Sequence, residues 1–79
     1  MAIDYREILE WTQKGEWDKA HQAVQPYSDE LSCLIHAYLH RVEGDISNAQ
    51  YWYKRARQNM PENTLEQEFA RLLEMAESQ

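Results

Sequence analysis

The sequence predicts an all-α fold, a five-helix antiparallel array, on three observations. Its 79 residues include only two glycines and two prolines, and all four fall where helix ends would lie. Apolar residues recur at helical spacing, and no segment shows the period-two alternation of a strand. The strings "DYRE" and "TLEQ" stand just ahead of apolar runs, where a side chain can close the free N–H groups of a first turn.

The first helix should start at Asp4, with Ile3 and Ile8 spaced as a hydrophobic staple, and stop at Lys14-Gly15. A second runs from about Trp17 until Pro26 prevents continuation. The third starts near Ser28, where Asp29 and Glu30 favour the positive end of the helix dipole, and ends at Gly44. The fourth begins after Asp45 and fades before Pro61. The fifth opens at Thr64, with apolar spacing at Leu65, Phe69, Leu72, Leu73 and Ala76 and an acidic opposite face.

A chain of this length forms one domain, residues 1–79, and buries only roughly 60% of the surface its unfolded form exposes. Three Trp, five Tyr and one Phe therefore carry much of its core. Fourteen acids against eight bases give a formal net charge of −6, the wrong sign for nucleic acid or an anionic membrane. Lys54, Arg55 and Arg57 read as a solvated helix face. The single Cys33 excludes an intrachain disulfide framework and a cysteine-rich zinc site. No apolar run approaches the ~20 residues that span a bilayer, and the N-terminus lacks an apolar leader, so the expectation is a reduced, cytoplasmic protein.

"GEWDKA" (Gly15–Ala20) and "GDISNA" (Gly44–Ala49) share Gly-acid-x-x-x-Ala, 29 residues apart. Each lies between two helices joined by a very short turn, which makes an antiparallel hairpin. In the second copy Ala37, Gly44, Ala49, Tyr53, Ala56 and Pro61 fall at the offsets of a tetratricopeptide repeat, which the segment resembles. The first copy keeps Gly15 and Ala20, has Val24 in the aromatic's place, and meets Pro26 early. The longer string "IHAYLHRVEGDISNAQYWYKRA" is also similar to small bacterial proteins of this type with no assigned function, over about Gly15 to Pro61. The resemblance implies two tetratricopeptide-like hairpins, with the fifth helix as a C-terminal cap. It also implies protein recognition rather than catalysis.

On a wheel of about 100° per residue, Leu31, Leu34, Ile35, Tyr38, Leu39 and Val42 make a wide apolar face of the third helix. Cys33, His36, Ala37, His40 and Glu43 lie on the other side. The resemblance turns Leu31, Leu34 and Tyr38 toward a concave partner-binding surface. So large an apolar patch needs cover from the fifth helix, a second copy of the chain, or a partner peptide. Gly15, Ala20, Ala37, Gly44, Ala49, Tyr53 and Ala56 are its turn and packing positions.

The expected function is a non-catalytic protein–protein interaction module without a cofactor, with homodimerisation through that face as one form of it. The alternative is a small zinc-binding protein, or a metal-dependent hydrolase, centred on His36, His40 and Glu43. Spacings of four and three bring these side chains together on one helix, and His21 can face them across the stack. Against it, no H-E-x-x-H signature occurs, and packed histidines commonly satisfy hydrogen bonds to Tyr, Glu or backbone carbonyls. Phosphate loops and nucleophile elbows are absent, and Cys33 reads as a small buried thiol.

Overall fold

The computed structural model describes residues 3–79. Five helices follow in order: α1 (Tyr5–Gln13), α2 (Trp17–Val24), α3 (Glu30–Val42), α4 (Ile46–Arg55) and α5 (Leu65–Glu77). Four of them start at a side-chain cap. Asp4, Asp29, Asp45 and Thr64 accept from the backbone N–H groups of Glu7, Ser32, Asn48 and Gln67, respectively. At Thr64 the bond is reciprocal, because Gln67 reaches back to the Thr64 N–H at 3.0 Å. The cap of α3 is thus Asp29, one residue after Ser28, and the Asp29 carboxylate also accepts the Tyr5 hydroxyl at 2.6 Å and ties α1 to α3.

Helices α1 and α3 end alike. After α1 the Glu16 N–H reaches Trp11 O and the Gly15 N–H reaches Thr12 O; after α3 Asp45 reaches His40 O and Gly44 reaches Arg41 O. This is the Schellman closure, which puts one residue in the left-handed region, and Gly15 (φ 82°) and Gly44 (φ 86°) occupy it. A Cβ at Gly44 would meet nothing within 4 Å, so backbone conformation rather than space selects glycine there.

A third closure of the same kind ends α4. Gln58 N–H bonds to Tyr53 O and Arg57 N–H to Lys54 O, with Arg57 at φ 63°. The helix therefore stops at Arg55, well short of Pro61. No glycine marks the place, and an arginine tolerates the left-handed region at a cost of roughly 1–2 kcal/mol.

α3 is the centre of the molecule. Every residue from Leu31 to His40 is buried, because α1, α2, α4 and α5 all pack on it. Ala20, Ala37, Ala49 and Ala56 lie buried at the hairpin contacts, where small side chains let helices approach, and Tyr53 fills the space beside them. Leu31 (4% exposed), Leu34 (0%) and Tyr38 (7%) are core residues, so they present no open partner-binding surface. Their cover comes from within the chain: α5 lies on α1 and α3, with Phe69 6.1 Å from the Tyr38 ring. That seat differs from a terminal cap on the second hairpin. The wide apolar face of α3 is the larger area to remove from water, and α5 follows it.

Polar chemistry then locks α5 to α4. Glu68 is fully buried in the stripe it shares with Leu72 and Ala76. Its Oε1 accepts from Asn63 Nδ2 (3.0 Å) and Arg71 Nε (2.8 Å), and its Oε2 from the Tyr53 hydroxyl (2.7 Å) and Arg71 (2.8 Å). Arg41 of α3 donates to the Tyr53 hydroxyl, to Asn63 Oδ1 and to Asn63 O, extending the network to a third helix. Among the described residues, no helix is long and apolar enough to cross a membrane.

Candidate metal centre

Three histidines meet where α2 crosses α3. His36 and His40 stand one turn apart on the buried side of α3, and His21 comes from α2. One potential ligating nitrogen from each lies within 4.8 Å of the other two. Nitrogens around a tetrahedral zinc are roughly 3.4 Å apart, a spacing that falls inside this bound.

Two tryptophans hold the rings in place. Trp17, one turn before His21, stacks on it with centroids 4.7 Å apart and planes at 11°. Its indole N–H donates to Leu39 O at 2.7 Å, which fixes the α2 face against α3. From the other side Trp52 of α4 stacks on His36 at 3.7 Å and 13°. The Arg55 guanidinium lies 4.8 Å from the same indole, so part of the basic patch packs on an aromatic. His21 meets His36 edge-on at 4.6 Å and His40 at 5.3 Å, and His36 lies 5.0 Å from His40.

Electrostatics favours the neutral, metal-ligating form of imidazole. Burial, then the adjacent His21, His40 and Arg55, push the His36 pKa down to about 3. His21 is lowered too, first by burial and then by His40, against the opposing pull of Glu43 and Asp18. Near neutral pH both rings carry a lone pair rather than a second proton.

The hydrogen bonds of the three rings differ. His40 Nδ1 lies 2.5 Å from Glu43 Oε1, at the half-exposed edge of the cluster. His36 is 2% exposed, yet its Nδ1 has no hydrogen-bond partner. His36 therefore lacks, at Nδ1, the hydrogen bond that packed histidines commonly make. An orphaned buried nitrogen is uncommon, and no group among the described residues satisfies this one.

Other residues singled out by sequence lie apart. Cys33 is a buried free thiol whose pKa burial raises, which disfavours a reactive thiolate. Asp45 can join His40 and Glu43 in a second cluster of potential ligands, but its carboxylate caps α4 and accepts from Asn48 N–H at 3.3 Å. Sequence reasoning missed Trp17 and Trp52 as walls of the site. Trp17 was detectable as the i−4 neighbour of His21; the Trp52–His36 stack joins two helices and leaves no local signal. The chain matches no family model, no curated protein and no solved structure.

Proposed function

We propose that this protein is a metal-binding helical module in which His21, His36 and His40 hold a divalent transition metal, with zinc the best fit. The convergence of three imidazoles from two helices carries the reading, and the unpartnered Nδ1 of buried His36 supports it. All-nitrogen ligation suits zinc, copper or nickel far better than magnesium or calcium, which prefer oxygen. The role is binding rather than turnover. Surface grooves of substrate size lie elsewhere: one of about 540 Å³ is lined by Gln50, Lys54, Asn59, Met60 and Glu62, away from every histidine. On this reading the hairpins are two tetratricopeptide-like units, and α5 fills their inner face.

Zinc titrated into metal-free, untagged protein should bind one to one at neutral pH and raise the melting temperature. At free zinc 100 times Kd the gain is about 2.7 kcal/mol. For a domain of this size each kcal/mol corresponds to roughly 4–8 °C. His36→Ala should remove both effects. An unchanged calorimetric baseline and melting curve at millimolar zinc would sink the proposal.

A second reading rests on the groove beside α5. Thr12, Gln13, Tyr38, Val42, Leu65, Glu66 and Phe69 line about 470 Å³, and Val42 and Leu65 are exposed apolar side chains there. This keeps the interaction-module expectation but moves it from the buried Leu31–Tyr38 face to its rim, with a second copy of the chain as occupant. Sedimentation should then show a dimer that Val42→Glu converts to a folded monomer. A wild type already monomeric at high micromolar concentration removes this reading.

A further inference from the structure

The acid beside His40 has a specific geometric consequence for the three-histidine site. Glu43 is the C-cap of α3, at φ −83° and ψ −3°, and its own N–H returns to Leu39 O. The helix end thus fixes its backbone three residues from His40, and its carboxylate meets His40 Nδ1 at 2.5 Å. A carboxylate only accepts hydrogen bonds, so a neutral imidazole in this contact must carry its proton on Nδ1. Nε2 is then the lone-pair nitrogen, the one left free to ligate.

The surroundings leave Glu43 to this role. The neighbouring Asp45 is engaged at the start of α4 by Asn48 and Ser47. His40 is itself 6% exposed and has Trp17 edge-on at 5.9 Å, so its ring is held by packing as well as by this bond. His36, by contrast, has no such partner at Nδ1. Of the two buried imidazoles, His40 alone has its tautomer set by a charged neighbour.

We propose that Glu43 is the positioning residue of the metal site: it holds the Nδ1 proton of His40, presents Nε2 to the metal, and strengthens that nitrogen as a donor by its charge. This rests on the metal-binding reading above. Glu43 does not touch the metal. Metal-site histidines almost always donate their other N–H to an outer oxygen, and loss of that partner typically costs 10–100-fold in affinity.

The test has two arms, on the full chain with helicity checked by circular dichroism. In metal-free protein at pH 8, long-range ¹H–¹⁵N correlation should show His40 protonated at Nδ1 and bare at Nε2. Glu43→Ala should move the proton toward Nε2, whereas Glu43→Gln, whose amide oxygen still accepts, should keep it on Nδ1. In the second arm, zinc competed against a chelator should bind Glu43→Ala about 10–100-fold more weakly than wild type at unchanged stoichiometry. Glu43→Gln, with the tautomer but no charge, should fall between them.

A wild-type His40 protonated at Nε2, or zinc affinity untouched in Glu43→Ala, overturns the proposal. So does complete loss of binding in Glu43→Ala with full binding in His36→Ala, which would place the metal on His40, Glu43 and Asp45. A wild type that binds no zinc removes the metal reading and Glu43's role in it, while the first arm still reports the tautomer on its own.

Discussion

Glu68→Ala should destabilise this protein by about 2–4 kcal/mol, because it strips a fully buried carboxylate from four hydrogen bonds, although its partner Arg71 is part-exposed. A domain of this kind has only ~5–15 kcal/mol to lose. The side chain leaves three kinds of damage. Arg71 loses both its short contacts, the buried Tyr53 hydroxyl loses its acceptor, and Asn63 loses the bond that orients it toward Arg41. α5 would then hold to α4 by little, and its loosening would uncover Leu31, Leu34 and Tyr38. Urea unfolding followed by tryptophan fluorescence gives the measurement, and a loss below about 1 kcal/mol would show that the network is dispensable.

Glu68 also predicts an acid limb of its own. Burial alone would raise its pKa, but hydrogen bonds from Arg71, Asn63 and Tyr53 outweigh it and hold the carboxyl down at about 2. A group with a depressed folded pKa contributes stability above its unfolded value, near 4.3, and loses it as pH falls toward the folded one. The sensitive window is therefore roughly pH 4.3 to 2. Glu68→Gln should flatten it.

The helix starts and the glycine-marked ends were legible because caps are local. Asp4, Asp45, Thr64, Gly15 and Gly44 each act within four residues of themselves, so sequence order contains the whole interaction. The end of α4 was not legible, since Arg57 takes a glycine's conformation without being one. Glu68 was half legible: it stands four before Leu72 and eight before Ala76, on the stripe that faces inward. An acidic residue there reads as solvated unless Tyr53, Asn63 and Arg41, distant in sequence, are known to meet it. The site divides likewise. His36, His40 and Glu43 share one helix and their proximity follows from spacing alone. The approach of His21, and the stack of Trp52 on His36, depend on how the hairpins pack.

Below pH 6.5 the metal-free protein should lose stability through its histidines, well before Glu68 responds. The His36 pKa is lowered to about 3 in the fold against 6.5 for the free side chain. A base whose folded pKa is depressed takes up its proton first in the unfolded chain. Its contribution is complete above pH 6.5 and is lost as pH falls toward 3. At pH 4.5 that amounts to about 2–3 kcal/mol from His36 alone, at ~1.4 kcal/mol per pH unit. His21 acts in the same direction, and the Glu43 carboxylate opposes it by drawing His21 toward the charged form. His36→Phe preserves an aromatic face for Trp52 while removing both the titrating group and the orphaned Nδ1. It should match or exceed wild-type stability at pH 7.5, and its curve between pH 6.5 and 4.5 should be distinctly shallower. Zinc supplies the complementary check: bound to the same lone pairs, it should raise stability at pH 7.5 and progressively less toward pH 5, as protons compete for them. Equal slopes for wild type and His36→Phe over that window would mean that His36 is solvated enough to titrate normally, and the buried three-imidazole arrangement would fall with it.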